Sequence, residues 1–271
     1  MSKIPTLLEM LKAGAHFGHQ KSRWHPKMQP YLFGLRNGVH VIDLEKTAAE
    51  MEKTYNYVRN LTSQGKVILF VGTKHQAREA VRSAAISCDM PYLVERWIGG
   101  LLTNFEEVKR RLKKYNTLRE QIKTGEIERY TKKEQTNIKK TVEKMDKYLV
   151  GLTKLEKIPD ALYIADLRVE KTAVTEAKRT GVKVVAICDS NVNPTKADYI
   201  IPANDDAVNS IKMMAEFIAE ASKEGKAEWE KNKAVMAKLK EEAKPEIIRK
   251  SVATLTAPRK ERRAIRKEES I

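Results

Sequence analysis

The chain has 271 residues, with 52 Lys and Arg against 36 Asp and Glu, a formal net charge of +16. Hydrophobic residues make up 41% and charged residues 32%, so a packed core must carry a strongly charged surface or charged extensions. No apolar run approaches the ~18–20 residues of a membrane span. Residues 1–14 do not read as a signal peptide, since Glu9 and Lys12 interrupt the apolar stretch. Two cysteines, Cys88 and Cys188, cannot build a disulfide framework or a zinc ribbon. The expectation is a soluble protein of a reducing compartment, biased toward polyanions.

The charge is uneven. Residues 1–40 carry +5, residues 105–157 carry +7 and residues 244–271 carry +5, which leaves the rest about neutral. An excess placed in terminal segments and one internal stretch is the pattern of a nucleic-acid binder.

In chain order, the first segment sets His16, His19 and His25 among Lys21, Arg23, Trp24 and Lys27. A metal on His16-x-x-His19 is disfavoured, because Gly18 breaks the helix and no Glu follows His16. Basic residues interleaved with Phe17, Trp24, Tyr31 and Phe33 suit phosphate contact and stacking on unpaired bases. The same aromatics could equally pack on the domain. A short strand over 39–44 leads into a helix over 45–63. A buried strand at 67–72 precedes a helix over 74–88, and 92–94 suggests a further strand. Gly72-Thr73-Lys74 lacks the leading glycine of a phosphate loop, although a helix start after a parallel strand attracts phosphate. In the stretch from Arg96 to Phe105, Gly99-Gly100 allows an unusual backbone, and Thr103 or Asn104 can cap the next helix.

From 106 to 157 the pattern changes. Val108, Leu112, Tyr115, Leu118 and Ile122, then Ile138, Val142, Met145, Leu149 and Leu152, form narrow stripes at steps of three and four. Two antiparallel helices packed mainly on each other fit this spacing, joined through Gly125. The α/β pattern then resumes. Strands at 161–166, 182–189 and 199–202 alternate with helices at 170–180 and 205–223, and both faces of each strand are apolar. The predicted class is α/β, a doubly wound parallel sheet with an inserted helical hairpin. Beyond Gly225 a Lys- and Glu-rich extension ends in the basic run 259–267.

Nothing supplies a nucleophile with a base. Ser190 lacks the GxSxG setting, and no histidine lies close in sequence to either cysteine, so both read as small buried residues. Asp189, Asp205 and Asp206 fall at strand ends, where open α/β sheets bind ligands. With Asp166 they could serve a nucleotide- or phosphate-binding enzyme or a phosphoacceptor regulator. The plainer reading is helix capping and turn formation.

Taken together, a set of motifs resembles the bacterial form of the second small-subunit ribosomal protein family. They are Gly18-His19, Trp24 with Pro26-Lys27-Met28, Asn37-Gly38, the run from Ile42 to Thr47, Gly72-Thr73-Lys74 with Gln76, and Arg96-Trp97 through Phe105. Pro159-Asp160, Asp166, Glu176-Ala177, Asp189 with Asn191 and Pro194, and the run from Ile201 to Ala207 continue them over residues 4–225. His25 stands where Asn is expected, and Ser190 where Thr is usual. The resemblance implies a flavodoxin-like sheet with a coiled-coil hairpin, no catalysis and no cofactor. It implies a cytoplasmic place in the small ribosomal subunit, bridging head and body through 16S rRNA. Implied partners are other small-subunit proteins, including the multidomain one that captures messenger RNA; neither a membrane nor a small-molecule substrate is implied.

The expected divisions are an α/β RNA-binding domain from 1–105 and 158–225, a hairpin at 106–157 and an extension at 226–271. Expected RNA contacts are Lys21, Arg23, Trp24, Lys27 and Arg36 from the N-terminal segment, and Lys74, Arg96 and Asn104 from loops. Lys109, Arg110, Arg111, Lys113 and Lys114 would add contacts from the hairpin. Asp189, Asp205 and Asp206 would face a protein partner or a cation.

Overall fold

A computed structural model describes residues 4–256, with side chains for 4–233. A capping box starts α1 (Leu7–Lys12): Thr6 Oγ1 accepts from the Glu9 N–H, and the Glu9 carboxylate accepts from the Thr6 N–H. Next come β1 (Phe17–Gln20), β2 (Leu32–Arg36) and β3 (Val39–Ile42), an antiparallel sheet in the order β1-β3-β2. The sequence pattern predicts only β3 of these. β1 and β2 carry Gly18 and Gly34 and shift register against β3, so no clean alternation marks them. Asp43 closes β3 and caps α2 (Leu44–Thr62), accepting from the Glu45 and Lys46 N–H groups.

The main sheet is parallel throughout. Its strands are β4 (Ile68–Val71), β5 (Tyr92–Leu93), β6 (Ala161–Ile164), β7 (Lys183–Cys188) and β8 (Tyr199–Pro202), ordered β5-β4-β6-β7-β8. The order reverses at β4, so the C-terminal ends of β4 and β6 open a crevice where ligands of such sheets bind. After β4, α3 (Arg78–Ser87) begins four residues later than the pattern predicts, because residues 74–77 form a turn closed by the Ala77 N–H on the Lys74 carbonyl.

The chain then builds α4 (Phe105–Thr124) and α5 (Lys132–Leu149), followed by α6 (Lys171–Thr180) and α7 (Val208–Thr256). Alternation along each strand gives the sheet two buried faces. Ile68, Phe70, Tyr163, Val185 and Ile187 face a core with α2, α3 and α7. Leu69, Val71, Leu162, Ile164 and Val184 face a second core with α6. Phe105, Val108, Leu112, Tyr115, Val142 and Leu149 belong to that second core as well. The lower turns of α4 and α5 therefore pack on the sheet layer and not only on each other.

The chain divides into two units, Met1–Lys226 and Ala227–Ile271. α7 does not stop at residue 223. A Cβ on Gly225 would overlap Thr62 Oγ1 and the Arg59 carbonyl oxygen, so this glycine allows α7 to cross the end of α2 in contact. It marks a crossing, not a terminus. Past it, Ala, Lys and Glu sustain the helix to Thr256. In the second unit the Lys233 ammonium stands 4.8 Å over the Trp229 ring. The basic run 259–267 lies outside the described residues.

Candidate nucleic-acid interface

The N-terminal segment is seated on the main domain through Ser190. Its Oγ accepts from the His19 N–H at 2.7 Å, and its carbonyl accepts from the His25 N–H at 2.8 Å. Gly18 makes this fit possible, since a Cβ there would lie 2.8 Å from Ser190 Oγ and 3.0 Å from the His40 carbonyl oxygen. From this seat Lys21, Arg23, Lys27 and Arg36 extend into solvent, with no carboxylate partner among the described residues. Phe33 is 81% exposed on β2, whereas Trp24 is half-buried, its ring 5.0 Å from that of His40. One aromatic is thus free to stack and the other mainly packs.

The loop 96–104 is held by a residue that the sequence shows only as part of a family motif, with no role attached. Glu176 on α6 is buried and gathers five donors. Trp97 Nε1 and the Gly100 N–H donate to Oε1 at 2.9 Å, and the Leu102 and Thr103 N–H groups with Thr103 Oγ1 donate to Oε2 at 3.1–3.3 Å. Burial would raise its pKa, but the Trp97 and backbone donors outweigh that and hold it below the ordinary range. Neither Thr103 nor Asn104 caps α4 with its side chain. The loop presents Arg96, whose guanidinium lies 4.8 Å over the Tyr148 ring on α5, and leaves Asn104 exposed.

On α4, Lys113 and Lys114 are exposed and Lys109 is half-buried. Arg110 and Arg111 share Glu107 at 3.3 and 3.5 Å, exposed pairs too weak to withhold them from phosphate. The predicted RNA contacts therefore fall into three groups: segment, loop and hairpin.

Lys74 belongs to none of them. Its ammonium lies 2.8 Å from Asp205, 2.7 Å from Asp206 and 3.2 Å from Asp166, at the crevice between β4 and β6. Burial works against its charge, but Asp205 and Asp206 outweigh that and hold its pKa above the usual lysine value. His19 joins the cluster, with Nδ1 3.1 Å from Asp189 and Nε2 3.5 Å from Asp206. The hydrogen bond to Asp189 raises the His19 pKa against the effect of burial. Asp205 is driven up by burial and by the charges of Asp166 and Asp189, while Lys74 opposes the shift. Burial raises Asp206 too, but Lys74 brings it below the ordinary value. Asn204, not these carboxylates, closes the turn before α7, accepting from the Asp206 and Ala207 N–H groups. His19, Asp189, Asp205 and Asp206 each offer a ligand atom, all within 4.8 Å of one another. A metal there would compete with the Lys74 ammonium.

Cys88 and Cys188 are both buried, and burial raises both thiols, Cys88 to about 11, so neither is a nucleophile near neutral pH. Residues 10–225 match the model of the ribosomal protein S2 family. The chain belongs to this family. It is 46% identical to the small ribosomal subunit protein uS2 of Coprothermobacter proteolyticus over 223 residues, which cover 82% of this chain and 83% of that one. It is 44% identical over 225 residues to the uS2 proteins of Chloroflexus aggregans and Chloroflexus aurantiacus, covering 83% of this chain and 94% of each relative. The match ends at the Gly225 crossing, one residue short of the end of the first unit. The interface residues, from the seated segment to the carboxylate cluster, lie inside the family's span.

Proposed function

We propose that this chain is a structural constituent of the small ribosomal subunit that binds 16S rRNA and performs no catalysis. The observation that carries the reading is family membership over residues 10–225, the span that holds all three groups of basic residues. In chain order the parallel strands read 2-1-3-4-5, the order of flavodoxin-like sheets, and α4 with α5 is read as the inserted coiled-coil hairpin. The α/β RNA-binding domain takes residues 1–105 and 158–225, and the extension begins at 226.

Lys21, Arg23, Lys27 and Arg36, with Trp24 at the segment's inner side, contact RNA between head and body of the subunit in the cytoplasm. Arg96, Asn104, Lys109, Arg110, Arg111, Lys113 and Lys114 extend the contact. Lys74 leaves this set, since three carboxylates hold its ammonium. The enzyme or phosphoacceptor alternative has no support: Asp166 is occupied by Lys74 and by the Arg168 and Val169 N–H groups.

The carboxylate cluster supports a second role. The Asp206 side chain is 55% exposed, and the buried Asp205 Oδ2 has no hydrogen-bond partner. A base from the messenger-capturing ribosomal protein would reach Asp206 at this edge, whereas a divalent cation would have to displace Lys74 to reach the buried carboxylates.

Sedimentation of the tagged protein from lysate tests the main reading. Co-migration with small subunits and release by RNase are expected. A protein that stays at the top of the gradient without RNase would overturn it.

A further inference from the structure

Between residues 158 and 204 the sequence is neutral, with six acidic and six basic residues. The fold separates them. Asp160 accepts from the Val67 N–H at 2.9 Å, Glu170 from the Thr73 N–H at 3.1 Å, and Asp198 pairs with Lys183 at 2.7 Å. Asp166, Glu176 and Asp189 are committed to Lys74, to the loop 96–104 and to His19. All six carboxylates therefore have internal partners. Of the six bases, Arg168, Lys171, Lys178, Arg179 and Lys196 are exposed with no carboxylate partner among the described residues.

Arg168, Lys171 and Lys196 line an open groove of about 420 Å³ with Ser22 and Arg23 of the N-terminal segment and Asn193. No acidic side chain lines it. α6 starts at its wall with Lys171, no acid lies in its first turn, and the N-cap carboxylate of Glu170 is taken up by the Thr73 N–H. A second groove shares Lys171 and Lys196 and continues along α6 past Lys178 and Arg179.

We propose that this groove is an additional RNA site that takes consecutive phosphates of the sugar-phosphate backbone. The proposal rests on the RNA-binding reading above and deepens it. A single small anion would use one or two of these cations, whereas a line of five suits a repeating charge. An RNA strand is favoured over an acidic peptide because Arg23 joins the groove directly to the basic N-terminal segment. Net charge by segment conceals the site, since the carboxylates that cancel it in sequence are taken up by partners elsewhere in the fold.

The test compares the full chain with its Lys171→Gln/Lys196→Gln variant, binding transcribed 16S rRNA on filters over a salt series. Both lysines are exposed, so the variant should melt with the wild type. The slope of log K against log salt should fall by about 2, close to one for each phosphate no longer neutralised. Each single substitution should account for about half of that change, and Lys171→Arg/Lys196→Arg should preserve the slope. A wild type that fails to bind rRNA would sink the ribosomal reading itself. Wild-type binding with an unchanged slope in the Gln variant would overturn the groove alone. Weaker incorporation into subunits at an unchanged RNA slope would assign the groove to an acidic protein, and would equally overturn it.

Discussion

Lys74 binds Asp205 twice: its ammonium donates to the backbone carbonyl and to the carboxylate, each at 2.8 Å. The two residues are 131 positions apart, so this contact ties the turn after β4 to the loop after β8 across the C-terminal edge of the sheet. Lys74→Met should cost about 3 kcal/mol, because it leaves buried carboxylates without their counter-ion. Denaturant unfolding measures the loss. Adding Asp205→Asn should recover part of it, and a double variant no more stable than Lys74→Met would refute the counter-ion role.

Glu176 should prove as important as any core apolar residue. Glu176→Ala orphans several donors in a loop that is otherwise glycine-rich, at a cost of about 3 kcal/mol. Thr103→Ala removes only one hydroxyl donor and should cost about 1 kcal/mol or less. Because the Glu176 pKa is lowered on folding, its contribution is present above the unfolded value and lost as pH falls through the folded one. Melting temperatures of wild type and Glu176→Ala should therefore converge in acid. A constant gap down to the lowest pH at which both fold would contradict this.

His19 predicts the opposite pH trend. Its folded pKa is raised above 6.5 by Asp189, so its stabilisation is complete below about pH 6.5 and declines as pH rises through the folded value. The melting temperature of wild type should fall relative to His19→Gln between mildly acidic and mildly alkaline pH. Parallel curves would show that the imidazole is not charged in the cluster.

The parallel strands are legible in the sequence because each is an uninterrupted apolar run between turn residues, and burial on both faces demands that composition. Family motifs are legible for a different reason: they are local strings. The features that stay hidden depend on contacts distant in sequence. Lys74 reads as a surface base until Asp205 is brought beside it. Glu176 belongs to a family motif, but its role is signalled only by its place on the stripe of Ala173 and Ala177, where a lone carboxylate has to find donors. Gly225 reads as a stop, and only the crossing with α2 explains it otherwise. The N-terminal strands are short and glycine-bearing, so periodicity gives no signal there.

The hairpin offers the sharpest test of where the domain ends. Spacing alone suggests that residues 106–157 pack mainly on themselves and can be replaced without harm to the α/β core. The structure locates Val108 and Leu112 in the same buried cluster as Leu69 and Leu162 of the sheet, with Tyr115 bonded to Asp146 between the two helices. Replacing all of 106–157 by a linker should therefore uncover the part of one sheet face that α6 does not reach and abolish cooperative unfolding. Leu112→Ala should already cost about 2–5 kcal/mol, the range for a large-to-small change in a packed core. Removing only 120–140 and closing the helices with a short Gly/Asn turn keeps Tyr115, Asp146 and the base of the hairpin. That variant should unfold cooperatively within about 1 kcal/mol of wild type, since the removed turns touch mostly each other and solvent. Urea titrations of the three variants decide the matter. A distal truncation as damaging as Leu112→Ala would mean that the tip, through the buried Ile127, supports the fold after all.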